Sequence, residues 1–198
     1  MKSERQMKHI FISALVMVLI AEGCKQDREQ NAKAFSPWSI GIYTGASPFD
    51  LKSSEGIKNP VLTAADVSDV PATFIADPFM VRKGTSWYMF FEVLNAANNQ
   101  GDIGFAESSD GFHWHYGKIV LDEDFHLSYP YIFKYENDYY LIPESNEVKA
   151  VRLYRAVEFP TKWRFESRLL KGERFSDNSV FYDNQRWLLF TETSSKPH

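Results

Sequence analysis

Three stretches of this 198-residue chain superpose on one another. An internal repeat constrains a fold more tightly than any local propensity. The stretches are Asp77-PFMVRKGTSWYMFF-Glu92, Tyr129-PYIFKYENDYYLIP-Glu144 and Asp177-NSVFYDNQRWLLFT-Glu192, whose starts lie 52 and then 48 residues apart. Trp87, Tyr139 and Trp187 fall in register, as do Phe90, Ile142 and Phe190, and Met80, Ile132 and Val180. Each stretch reads as an apolar run, a polar turn and an aromatic run, which is a β-hairpin. The turns are Lys83-Gly84-Thr85, Glu136-Asn137-Asp138 and Asp183-Asn184-Gln185. Behind the first two hairpins lies a second matching pair, Ile103 to Trp114 and Val151 to Trp163, each closed by a tryptophan. Their turns fall at Ser109-Asp110-Gly111 and Phe159-Pro160-Thr161. Four strands in about fifty residues is the unit of a propeller blade.

The spacing therefore predicts an all-β chain with an incomplete β-propeller over 37–198. Its blades cover about 77–125, 126–174 and 175–198, the last only two strands long. A ring needs four or more blades and about two and a half are present, so the chain reads as C-terminally truncated. Trp38 to Gly45 is the best candidate for a closing or flanking strand. Composition agrees: 16% of residues are aromatic, with 16 Phe, 10 Tyr and 5 Trp, and aromatic residues favour strands. Charged residues at 24% and hydrophobic residues at 44% fit neither a disordered chain nor a polytopic membrane protein. A net charge of −4 argues against a nucleic-acid partner, which calls for a basic patch. The single cysteine excludes an internal disulfide framework and a Cys-rich zinc site.

That cysteine sits at the end of an export signal. Lys2, Arg5 and Lys8 precede an apolar run, Ile10 to Ala21, which is too short to span a bilayer. Ala21-Glu22-Gly23-Cys24 resembles a bacterial lipobox, in which the cysteine is acylated and becomes the mature N-terminus. Residues 1–23 are then a lipoprotein signal and 24–36 a polar tether, and Cys24 anchors an exported cell-envelope protein to a membrane. Plain cleavage near Gly23, leaving a free thiol, is the alternative.

The repeat also gathers carboxylates. In an antiparallel pair the start of the first strand lies beside the end of the second. Asp77 is therefore expected beside Glu92, Tyr129 beside Glu144, and Asp177 beside Glu192, all around one mouth of the propeller channel. His126, three residues before Tyr129, borders the same mouth. Glycoside cleavage needs one carboxyl as acid and one as base, and like charges held close raise one another's pKa. Phe79 and Tyr131 offer apolar faces to sugar rings. The blander reading makes Asp77-Pro78 turn chemistry and the glutamates blade-end residues bonded to backbone amides. A channel calcium is a third possibility, since calcium takes several oxygen ligands; otherwise no cofactor is called for. His113 and His115 share one strand face; they read as solvent-facing beside Trp114, with metal binding as the alternative. Walker, dinucleotide, HExxH and serine-elbow motifs are absent.

Ala76-Asp77-Pro78, the Ser109-Asp110-Gly111 turn with Trp114, and the aromatic hairpins resemble the five-bladed propellers of glycoside hydrolase family 43. Trp38 to Phe49, Asn59 to Met80 and His126 to Phe133 resemble the N-terminal propeller domain of plant glucosamine inositolphosphorylceramide transferases, which also occurs in bacterial proteins. The likeness runs from about Trp38 to Glu192. It implies a five-bladed architecture and a carbohydrate or glycoconjugate partner. Family 43 enzymes use an aspartate base, a pKa-tuning aspartate and a glutamate acid on successive blades. Asp77 matches the base, while Tyr129 stands at the tuning position and Asp177 at the acid position. Glu92, Glu144 or Glu192 is left to serve as acid.

The candidate catalytic residues are thus Asp77, Asp177 and Glu144. The candidate substrate-binding residues are Glu92, His126, Tyr129, Tyr131 and Glu192. The first functional expectation is a cell-envelope glycan-recognition or glycan-processing domain. The alternatives are an active glycosidase of the arabinosidase/xylosidase type and a fragment with no function of its own.

Overall fold

The computed structural model describes residues 38–194; the signal segment, Cys24 and the tether lie outside them. Strands β1 (Ala72–Lys83), β2 (Ser86–Asn95), β3 (Gln100–Ser108) and β4 (His115–Leu121) form one antiparallel sheet in chain order. Strands β5 (Ser128–Tyr135), β6 (Asp138–Glu144), β7 (Ala150–Glu158) and β8 (Lys162–Lys171) form a second. Strands β9 (Arg174–Asp183) and β10 (Arg186–Ser194) make a two-stranded third. Among the described residues there is no α-helix. The chain is all β, with two complete propeller-type blades and the first two strands of another.

Each hairpin turns where the backbone reaches positive φ, at Gly84, at Glu136, and at Asn184 with Gln185. Two successive positive φ values give the turn whose twist matches the flanking strands.

The second strand of each blade is apolar on both faces, so both faces must be covered. In β2, Met89, Phe91 and Val93 point into one core with Ile40, Leu62, Val67, Ile75 and Trp114. Phe90 points the other way, into a core with Ile103, Phe105, Leu127, Ile132, Leu141 and Tyr154. Strand β6 repeats the arrangement one blade on. Leu141 belongs to the second core, and Ile142 to a third with Val151 and Phe175. Side chains alternate across a strand, so an unbroken apolar run reports a sheet buried on both sides.

Trp38 to Gly45 flanks the first blade without becoming a strand. It makes single bridges, Ile40 to Leu62 and Thr44 to Lys52, and presents Ile40 to the first core. Asp69 ties this flank to β4. Its carboxylate accepts the Tyr116 hydroxyl at 2.6 Å and the Ile119 amide at 2.8 Å.

The seam between the two complete blades is aromatic. Phe159, at the β7–β8 turn, packs on Tyr139 of β6 at 4.1 Å and on Tyr88 of β2 at 4.9 Å between centroids. Phe90 meets Phe159 at 6.0 Å and Trp163 edge-on at 5.5 Å, and Lys83 Nζ lies 4.9 Å above the Phe159 ring. Edge-to-face pairs add to what area burial contributes. Phe90→Ala removes a fully buried ring from this seam. We expect a loss of about 3–5 kcal/mol, read as a lowered midpoint in urea denaturation with an unchanged slope.

Candidate functional site

The first strand of every blade is broken at the same register point. Ala76 pairs with Glu92 and Phe79 with Phe90, so Asp77 and Pro78 oppose Phe91 alone. Ser128 pairs with Glu144 and Tyr131 with Ile142, which leaves Tyr129 and Pro130 opposite Pro143. Ser176 pairs with Glu192 and Ser179 with Phe190, which leaves Asp177 and Asn178 opposite Thr191. Two residues against one is a β-bulge, a device that re-aims a side chain. The first bulge residue is left-handed in all three blades: φ is 53° at Asp77, 46° at Tyr129 and 53° at Asp177. Aspartate tolerates this conformation, but for tyrosine it is a genuine outlier. Such strain costs on the order of 1–3 kcal/mol and gathers at functional sites.

These bulges join the blades through backbone amides. The Tyr129 N–H donates to Asp77 Oδ2 at 3.2 Å, and the Asp177 N–H donates to Glu144 Oε2 at 3.1 Å. Glu144 Oε1 also accepts from the Asn146 side-chain amide at 2.7 Å. At both seams a carboxylate of one blade therefore holds the bulge of the next. Phe79 packs edge-on against Tyr129 at 4.7 Å and against Tyr131 at 5.4 Å. The Tyr131 hydroxyl donates to the Val180 carbonyl at 2.8 Å, which makes it a tie to the third sheet.

Glu92 is only 5% exposed, and its Oε1 lies 3.2 Å from His126 Nε2. The Gly101 amide donates to His126 Nδ1 at 3.0 Å, so in the neutral ring the proton sits on Nε2 and points at Glu92. This contact explains Gly101: a Cβ there would collide with the Leu127 carbonyl oxygen and lie 2.8 Å from His126 Cε1. The hydrogen bond that Nε2–H donates to Glu92 holds the imidazole above its ordinary pKa, against the opposing effect of burial. Glu147 and Glu144 add to the rise. Asp77 is also raised, by burial first and then by the negative charge of Glu92; Asp177 adds to the rise, while the Tyr129 amide and His126 oppose it.

The fold thus brings Asp77, Glu92, His126, Glu144 and Asp177 into one electrostatic group, with Tyr129 held against it. Glu192 lies opposite Ser176 at the exposed end of β10. Among the described residues no three His, Cys, Asp or Glu side chains converge to hold a metal ion, so the channel calcium finds no such ligand set there. What the site offers is a carboxyl with a raised pKa at Asp77, a buried acidic side chain at Glu92, an oriented imidazole and an aromatic wall. That equipment can accept hydroxyl hydrogen bonds, stack on a ring, or pass a proton.

Sequence reasoning missed Asp102, 1% exposed behind Gly101 on β3. Asn95 Nδ2 donates to Asp102 Oδ2 at 3.0 Å, while Oδ1 is buried with no donor facing it. Burial and the neighbouring Asp122 carboxyl push its pKa from 3.8 up to about 6. The available signal was a glycine followed by an aspartate inside an otherwise apolar strand, which marks close backbone approach.

These shifts share one sign. Between pH 3.8 and about 6 the folded chain keeps a proton on Asp102 that the unfolded chain has lost, so folding weakens as pH rises. Asp77 acts in the same direction. His126 contributes fully below 6.5 and loses that contribution as pH rises through its higher folded value. From about pH 4 to neutrality these three groups therefore stabilise the folded chain progressively less, while Asp110 and Glu158, held below the usual carboxylate range, act in the opposite sense at the acid end. Asp102→Asn should flatten the decline below about pH 6 and leave the upper part, as read by urea midpoints at fixed pH values.

Comparisons with known proteins agree on the kind of chain this is. The family described as "Glucosamine inositolphosphorylceramide transferase 1, N-terminal" matches residues 24–197. The transferase 1 proteins of Oryza sativa subsp. japonica and Arabidopsis thaliana are each 40% identical to this chain, over 187 and 182 residues. The match covers 87% and 84% of this chain but 24% and 23% of theirs, so the chain spans about a quarter of these relatives. Among solved structures, a Bombyx mori GH32 beta-fructofuranosidase superposes with a TM-score of 0.54 at 18% identity. That match covers 75% of this chain and 35% of the enzyme, and it shows a shared fold.

Proposed function

This chain belongs to the glucosamine inositolphosphorylceramide transferase 1 N-terminal family, and on that premise we propose that it is a carbohydrate-recognition domain binding sugar at the bulge-lined mouth. The observation that carries the proposal is the convergence of Asp77, Glu92 and His126 beside the αL bulges of the adjoining sheets. A left-handed backbone kept at one register in three hairpins supports a site, because strain of this kind gathers where function needs it. The relatives' transferase name and the fructofuranosidase fold both support a glycan as the class of ligand. On this reading the carboxylates accept sugar hydroxyls while Phe79 and Tyr129 flank a ring face.

Hydrolysis is the second reading, favoured by one observation. Asp77 holds its proton above the ordinary carboxylate range beside the buried Glu92, and such a pair can divide acid and base roles. The two readings separate in one experiment. The purified chain is titrated with a panel of neutral and amino mono- and oligosaccharides by calorimetry and offered the matching aryl glycosides. We expect binding that Asp77→Ala weakens at least about tenfold, the loss expected for removing a charged hydrogen bond. Aryl release abolished by Asp77→Asn selects hydrolysis. No binding and no release across the panel leaves the domain without a carbohydrate role.

We further propose export to the cell envelope with a lipid anchor at Cys24, supported by the basic and apolar segments before it. In a bacterial host, labelled palmitate should enter the wild-type chain and be absent from Cys24→Ser.

A further inference from the structure

We propose that Asp102 and Asp122 form a cation site in the first blade, taking calcium or an ion of that class between their carboxyl groups. Asp102, on β3, is 1% exposed. Its Oδ2 accepts from the Asn95 side-chain amide at 3.0 Å, while its Oδ1 is buried with no hydrogen-bond partner. The Asp122 carboxyl, at the exit of β4, stands within hydrogen-bonding reach of Asp102. Since Oδ2 is taken by Asn95, Oδ1 is the oxygen left to meet it. Two ionised carboxyl groups bring acceptors to such a contact and no donor. Buried polar oxygens in folded proteins are almost always satisfied, by protein, water or an ion.

The missing partner must carry positive charge. Neither Asp102 nor Asp122 forms an ion pair with a lysine or arginine among the described residues. His126 acts on Asp102 only from beyond Gly101, with Nδ1 turned to the Gly101 amide and Nε2 to Glu92. An uncompensated buried carboxylate is strongly unfavourable, and a cation between the two groups balances both charges. Oxygen ligands select a hard ion. Calcium accepts carboxylates in flexible geometry, with main-chain carbonyls and waters completing its shell. Asp122 is exposed, which gives the ion a way in and leaves room for water among its ligands. Magnesium demands near-ideal octahedral geometry and dehydrates reluctantly, so it fits less well.

The position gives the ion a task. Asp122 opens the loop of residues 122–127, which leads from β4 to β5 and carries His126. Further along, that loop is tied to β3 twice. Gln100 Nε2 donates to the Glu123 carbonyl at 2.6 Å, and the Leu127 amide donates to the Gly101 carbonyl at 2.9 Å. An ion between Asp102 and Asp122 adds a tie at the start of the loop, beside the strand position that receives the imidazole. Asn95, Asp102 and Asp122 belong to β2, β3 and this loop, so the site is built within one blade and its exit and draws on no other sheet.

The test is urea denaturation of the whole chain near neutral pH and at constant ionic strength, with a chelator or with calcium chloride. Two carboxylates make a weak site, with a Kd on the order of 1 mM. Calcium at about 10 mM should then raise the folding equilibrium constant about tenfold. Asp122→Asn, a change at an exposed position, should abolish that gain, and so should Asp102→Asn. Asp124→Asn, which removes another exposed carboxylate of the same loop, should keep it. Three outcomes overturn the proposal. Calcium has no effect on the wild-type chain, which leaves the pair to a shared proton. Magnesium gives the same gain, or Asp124→Asn loses it, which is general screening of an acidic surface. Or the gain survives Asp122→Asn, which places the ion elsewhere.

Discussion

Strands that are apolar on both faces cannot be satisfied by a single layer, and this demand organises the molecule. Met89, Phe91 and Val93 on one side of β2 and Phe90 on the other each require a separate core. The flank around Ile40 and Leu62 covers the first side, and the second blade covers the other. The second blade then presents Ile142 outward and needs a further layer in its turn, which the β9–β10 hairpin provides with Val180 and Leu189. Phe190, at the position of Phe90 and Ile142, is 58% exposed. Each sheet thus creates the need that the next one meets, which is how a propeller propagates.

Stacking sheets in this way brings the start of each first strand to one end of the assembly, and the bulges turn that end into a site. Without them, Asp77, Tyr129 and Asp177 would follow strict alternation along the strand. The bulge lifts each one out and exposes its amide to a neighbouring blade's carboxylate, as at Tyr129 with Asp77 and Asp177 with Glu144. The resulting strain is sustained by the close packing behind it. Phe79, against its ring, and Asp77, on its amide, hold Tyr129 in a conformation it would not adopt alone. Glu92 and His126 are oriented by the same sheet, because Gly101 lets the imidazole approach the backbone of β3.

Much of this was legible in advance. The hairpin repeat predicted the strands, their pairing and the neighbourhood of Asp77 with Glu92, since an antiparallel register follows from turn position alone. The bulges were not legible: Pro78 and Pro130 hint at a break in the ladder, but Asn178 does not, and Tyr129 is the last residue one would assign a positive φ. Nor was Asp102, whose raised pKa depends on Asp122 and burial. Tyr131 read as a sugar platform, whereas its hydroxyl is a tie to Val180 across a seam that no local pattern describes.

The sequence by itself determined the all-β class, the four-strand period and which residues share an edge, because these depend on side-chain alternation and turn chemistry within about fifty residues. Tertiary structure alone decided which carboxyls have raised pKa values and which imidazole nitrogen faces Glu92. Those properties arise from burial and from charges brought in by other sheets. Solvation and Coulomb interactions depend on distance in space, and the charges that shift Asp77 lie from 15 positions away along the chain, at Glu92, to 100, at Asp177.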